Sequence, residues 1–280
     1  MRLGFGLGLQ YSKLSGGGSG FEEFLNKFSG ASLGLSLDKL DKNYTGSAIK
    51  VRRSSDNNEL DIGFVNNELD TASLLDFVGS GDGFVTIIYD QVGSNNMTQT
   101  TANLQGQIVS NGSVILKGGK PCIIRSANND GGYLSAYAPN DGVAVKGMFY
   151  VGDNEGKTSC VFGSKIVGIN SGSNDYGFVA ISGSTSTFID NSPTITLTKL
   201  NGSTTTFTTR SQAFTATNNQ FLLYREIEFN FEDNVLGLGY RQDDPSDFGM
   251  FTFQELVIFE NTDNAVAKEN NINSRYNNIY

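Results

Sequence analysis

Histidine is absent from this 280-residue chain, and so is tryptophan. Without an imidazole, the Ser-His-Asp and Cys-His catalytic arrangements fall away, together with every His-ligated zinc or iron site. Without an indole, the strongest stacking surface for a sugar ring is missing, so a carbohydrate site has to be built from Tyr, Phe and polar side chains. Cysteine is nearly absent: Cys122 and Cys160 lie in the apolar stretches KPCIIR and TSCVFGS. Two readings of that pair stay open, buried thiols acting as small hydrophobes or a disulfide between neighbouring strands, which needs Cα atoms about 5.5 Å apart. No apolar run approaches the roughly 20 residues of a membrane-spanning helix. Cationic charge is scarce as well. Lys and Arg number 20 against 29 Asp and Glu, for a net charge of −9, which disfavours a phosphate backbone as partner because such binding rests on clustered cations. The one basic cluster, Lys50 to Arg53, falls in a predicted strand and turn that splits it between two faces.

Proline occurs 4 times against 34 glycines, with Ser, Thr and Asn between short apolar runs, which is the composition of many strands joined by tight turns. Strands are predicted around 33–37, 47–53, 84–89, 107–109, 113–117, 121–125, 147–153, 159–162, 176–182, 194–200, 204–209, 220–231, 235–240 and 255–260. The expected fold is all-β, an antiparallel jelly-roll β-sandwich of the concanavalin A-like kind, with a short N-terminal extension and a few short helices. Asp70 is placed to cap the helix TASLLDFVG, which Gly79 ends, and Asp263 to cap a helix over 264–276.

Residues 1–30 are read as an attachment segment and 31–280 as the sandwich. Leu3, Phe5, Leu7, Leu9 and Tyr11 alternate with Gly4, Gly6, Gly8 and Gln10, a strict period of two with one apolar and one bare face. The run Ser15 to Gly20 reads as a flexible tether, and Phe21, Phe24, Leu25 and Phe28 fall at helical spacing before Gly30. Two readings of the first strand stay open: an arm that adds to another subunit's sheet, or a first strand of this sandwich. Arg2 and LGFGLGL are too short and glycine-rich for a secretory leader, so the segment is kept in the mature chain.

The strongest carboxylate constellation is Glu226, Glu228 and Glu232 in REIEFNFED, where even spacing puts all three on one face of a strand and Ile227, Phe229 and Phe231 on the other. Carboxyls two residues apart on a strand lie about 7 Å apart, between the retaining and inverting separations of glycosidases. A solvated acidic face explains the same residues. Oxygen-rich turns at 56–59, 90–96 and 243–247 have the donor type of a structural Ca²⁺ site, and Asn and Asp are equally ordinary turn formers; no other cofactor or metal is expected. Tyr133, Tyr137, Tyr176 and Tyr240, near expected loops, are the aromatic candidates for a glycan platform.

The segments LDKNYTGSAIKVRRSSDNNELDIGF (40–64), ELDTASLLDFVGSGDGFVTIIYDQVGSNN (68–96) and QIVSNGSVI (107–115) resemble, in order and spacing, the catalytic-domain family of fungal α-L-arabinofuranosidase B. FQELVIFENTDNAVAKENNINSRYNNIY resembles the closing strand and helix of laminin-G-like, concanavalin A-like modules, and MRLGFGLGLQYSKLSGGG the opening of phage virion proteins. The first resemblance implies a retaining glycoside hydrolase with two carboxylates. That family's nucleophile, a Glu among Trp and Cys, has no counterpart here, so no catalytic residue is carried over. The reading that follows is a non-enzymatic structural virion protein, a fibre, spike or decoration on the virion surface. It joins other virion subunits through its N-terminal segment, forms a homo-oligomer such as a trimer, and presents a lectin-like face to host surface glycans. The alternatives are a polysaccharide-active hydrolase of the arabinofuranosidase type and a bacterial cell-surface adhesion module.

Overall fold

In the computed structural model of this chain, residues 23–125, 133–135, 144–154, 159–166, 175–180, 183–185, 195–230, 234–238 and 251–280 are described. An antiparallel sheet of six strands runs in the order Ala31–Ser36, Glu255–Phe259, Ala144–Gly152, Phe221–Asn230, Ile195–Leu200, Ser203–Thr204. A second, of twelve strands, runs Asp175–Ala180, Ser159–Ile166, Asn234–Leu238, Tyr133–Ser135, Met97–Thr98, Gly83–Ile88, Gln107–Ser110, Ile123–Arg125, Phe251–Phe253. Its remaining strands, Ile49–Arg53, Glu59–Ile62 and Ser113–Val114, join at the side of this path. The chain is an all-β sandwich, as its composition and alternation imply. No helix among the described residues is long and apolar enough to cross a membrane.

The central strands of the six-stranded sheet are apolar on both faces, and strand alternation sorts them into two cores. Met148, Tyr150, Phe221, Leu223, Leu256 and Ile258 join Ile49, Val51, Val85 and Ile88 of the other sheet, filling the space between the layers. Phe149, Val151, Leu222, Tyr224, Val257 and Phe259 point the opposite way and are covered by Phe24, Phe28, Ile272 and Tyr276 from two helices. These helices, Phe24–Lys27 and Ala265–Arg275, therefore turn the outside of one sheet into a second interior, which is why FLLY and ELVIF read as continuous apolar runs.

Local signals explain several boundaries. Asp70 caps Thr71–Val78 by accepting from the Ser73 N–H at 3.0 Å, and Gly79 ends it at φ 68°. Asp263 does not cap the last helix: Asn264, in the left-handed region, occupies the cap position without a side-chain bond. The strand expected over 204–209 stops at Thr204, because Thr209 and Gln212 form a reciprocal capping box that opens the helix Arg210–Ala216.

Asp90 joins the sheets where the sequence reads YDQVG. Its Oδ1 accepts from the N–H groups of Gly34 (2.9 Å) and Val92 (3.0 Å), and its Oδ2 from those of Gly93 (3.0 Å) and Asn95 (3.2 Å). Gln91 accepts from the Leu40 N–H at 2.8 Å and donates to the carbonyls of Ser36 and Asp38. Gly34 sits so close beneath this loop that a Cβ there would meet Val92 at 3.0 Å. Asp90→Asn turns an amide NH₂ toward backbone donors, and we expect it to cost about 2–3 kcal/mol, since bonds to a charged acceptor contribute about 1.5–3 kcal/mol each. Urea unfolding measures it; a loss below 0.5 kcal/mol, roughly the scatter of neutral surface changes, would show the loop is held by other contacts.

Candidate functional site

Glu226 lies on the helix-covered face of Phe221–Asn230, two residues beyond Tyr224. The Tyr224 ring stacks on Phe149 with centroids 4.6 Å apart, and its hydroxyl donates to Glu226 Oε1 at 2.9 Å. Burial first, and then the Glu226 carboxylate, push the Tyr224 phenol well above its usual range, so it stays protonated and keeps donating. Glu226 is thereby held at the wall of a pocket of about 370 Å³, which it shares with Lys146, Thr196, Glu260, Asn261 and Asp263. That volume is at the lower end of the ~300–1,000 Å³ of small-molecule sites. The loop after Glu255–Phe259 brings Glu260 and Asp263 to the same opening. Half-buried Glu226 facing exposed acids across a polar pocket has the parts of a two-carboxylate site, with Lys146 lining the same opening.

A second pocket, of about 320 Å³, opens between the hairpin Phe64–Leu69 and the last helix. Its floor is Asp38, 6 % exposed, with Lys120 Nζ at 3.6 Å and Arg275 Nη1 at 3.8 Å from its Oδ2. Behind it Glu255, fully buried, takes a bidentate pair from Arg275 at 2.8 and 2.6 Å, and bonds from Ser36 and Tyr276. Burial raises the Asp38 carboxyl to about 6, opposed by Arg275 and Lys120 and assisted by Glu255 and Glu68. An acid raised on folding binds its proton more tightly in the native state. Asp38's contribution to stability is therefore complete below its unfolded value near 4 and is lost as pH climbs through about 6. Asp38→Asn should flatten the unfolding free energy between pH 4 and 7 by about 2 kcal/mol relative to wild type, read from urea unfolding across that range; parallel profiles would contradict it.

The structure places the sequence-derived candidates unevenly. Glu226 lines a pocket. Glu228 is on the same strand with its side chain outside the described residues, and Glu232 lies outside them altogether. Leu3, Phe5, Leu7, Leu9, Tyr11, Tyr137 and Tyr240 also lie outside, as do the side chains of Tyr133 and Tyr176 and the thiol of Cys160. In two of the turns considered for Ca²⁺ the aspartate is engaged internally. Asp90 is saturated by backbone donors, and Asp56 by Arg53 and Asn58, which hold its carboxyl down at about 2; 243–247 lies outside the described residues. Among the described residues no cluster of metal-ligating side chains forms. Glu260 and Asp38 were not singled out from sequence, and Asp263 only as a helix cap, for their place in a pocket is set only across the fold.

No family model and no curated protein matches the chain. Three solved structures do match in three dimensions, each at 15% identity, over 86% of this chain and 62% of the other. They are an arabinofuranosidase complexed with arabinofuranosyl-α-1,2-xylobiose (TM-score 0.57), a GH54 α-L-arabinofuranosidase soaked with a cyclic sulfate inhibitor (0.53), and a point mutant of a GH54 α-L-arabinofuranosidase soaked with 4-nitrophenyl α-L-arabinofuranoside (0.54). The chain spans about three fifths of their length. This likeness shows the shared β-sandwich, and it corrects the expectation of a non-enzymatic virion protein. The matching sandwiches are those of glycoside hydrolases, and the missing histidine never bore on that chemistry, which needs only two carboxyl groups.

Proposed function

We propose that this chain is a polysaccharide-active glycoside hydrolase of the arabinofuranosidase type, acting on arabinofuranosyl side groups of a pentose-based chain. The observation that carries the reading is the shared sandwich over 86% of the chain, in three structures whose ligands include an arabinofuranosyl xylobiose and an aryl arabinofuranoside. Glu226 in its acidic pocket supplies the chemistry among the described residues. One carboxyl protonates the glycosidic oxygen as its bond to the anomeric carbon breaks. A carboxylate on the other face attacks that carbon, and water then releases the sugar. Glu226, with a phenol donating to it, suits the ionised role, and Glu260 or Asp263 the proton donor.

The test is release of 4-nitrophenol from 4-nitrophenyl α-L-arabinofuranoside and of arabinose from arabinofuranosyl-α-1,2-xylobiose by the purified chain. Turnover that scales with enzyme is expected. No release from either, nor from arabinose-bearing polysaccharide, would overturn the proposal.

A further inference from the structure

The Asp38 carboxylate is more than nine-tenths buried, lines an open pocket, and accepts no hydrogen bond from any described residue. Its nearest cations, at 3.6 and 3.8 Å, lie beyond hydrogen-bond length. Both cations are already bonded elsewhere: Lys120 to Glu68 at 2.5 Å, and Arg275 to Glu255 through both its terminal nitrogens. Asp38 is thus not needed to neutralise them. A desolvated carboxylate with empty acceptor positions is costly unless donors from outside the chain fill them.

The surroundings say which donors fit. Glu23, Asp38 and Glu68 are matched at the pocket by Lys39, Lys120 and Arg275, so neither a cation nor an anion is favoured by net charge. The rim carries the amides of Asn66, Asn67 and Asn271 and the Ser274 hydroxyl, donors and acceptors together at one opening. The complementary ligand is neutral and carries both functions on adjacent atoms, as vicinal hydroxyls do. The volume, at the lower end of the ligand-site range, suits a single sugar unit better than a chain.

We infer that this pocket is a second saccharide site, apart from the one at Glu226, in which Asp38 accepts from vicinal hydroxyls of a neutral pentose unit. The inference rests on the proposed hydrolase function for the kind of sugar. Such a site would hold one unit of a polysaccharide while another is cleaved, raising the effective concentration of chain at the reacting pocket. Binding favours the ionised carboxylate, so affinity should fall as pH drops through about 6, the value set by burial against Arg275, Lys120, Glu255 and Glu68. Lys39, Glu23 and Tyr276 also face the region.

The experiment titrates full-length Glu226→Gln protein with arabinofuranosyl-α-1,2-xylobiose by calorimetry at pH 7.5 and pH 5.0. Saturable binding is expected, weakening about tenfold at the lower pH because about a tenth of Asp38 stays ionised one unit below its pKa. Adding Asp38→Ala should weaken binding tenfold or more, and Ser274→Ala, on the rim, several-fold. Both should fold, since Lys120 and Arg275 keep Glu68 and Glu255, and thermal melts check this. Binding that is indifferent to both substitutions, or absent at millimolar sugar so that water alone fills the pocket, overturns the inference. Wild-type sugar release without this binding leaves the hydrolase proposal standing alone; Asp38-dependent binding without sugar release leaves the site and removes the hydrolase.

Discussion

Glu226→Gln should lower sugar release by about 10²–10⁴-fold, the range for loss of a positioned catalytic carboxyl, with the unfolding midpoint unchanged. Glutamine keeps the volume and the Oε1 that accepts from Tyr224, so packing against the Phe149–Tyr224 stack survives while the charge is removed. The pair of substrates separates the two roles. 4-Nitrophenolate leaves readily without a proton, so a variant that loses turnover on the aryl arabinofuranoside and on the trisaccharide alike has lost the attacking carboxylate. One that loses only the trisaccharide has lost the acid. Activity within twofold of wild type on both would remove Glu226 from the reaction and point to carboxyls elsewhere in the chain.

Arg275→Ala should destabilise the protein by about 3–5 kcal/mol, the cost of leaving a buried carboxylate without its cation. Glu255 is fully buried, and Arg275 is its only ion-pair partner among the described residues. The same guanidinium lies 5.0 Å over the Phe24 ring and 3.8 Å from Asp38. One side chain therefore ties the last helix to the second strand of the six-stranded sheet, to the first helix and to the floor of the Asp38 pocket. Adding Glu255→Gln to Arg275→Ala should recover part of the loss, because the stranded charge is what costs most. A single variant within 1 kcal/mol of wild type in urea unfolding, or a double variant no better than the single, would contradict this account.

Legibility followed the range of the interaction. The helix at Thr71–Val78 was readable because its cap and its terminating glycine lie within ten residues of each other. The helix Arg210–Ala216 had an equally local signal in Thr209 and Gln212, but the β-branched run TTTFTT before it favours a strand and masked it. Glu226 was visible through alternation on its own strand. Asp38 was not, because what distinguishes it comes from Glu68, Lys120, Glu255 and Arg275, residues spread across most of the chain. The virion reading failed because a sandwich framework and a short absence list do not identify a chemistry.

By itself, the sequence determined that strands dominate, that they pair through tight Asn- and Gly-rich turns, and that imidazole chemistry is excluded. These follow from composition and from a side-chain period of two, both local properties. Only the tertiary structure decided which of two apolar faces each central strand gives to the other sheet and which to the helices. It alone gathered Glu226 with Glu260 and Asp263, and left Asp38 buried without a hydrogen-bond donor among the described residues. Burial and charge pairing are set by neighbours distant along the chain, and those neighbours exist only once it has folded.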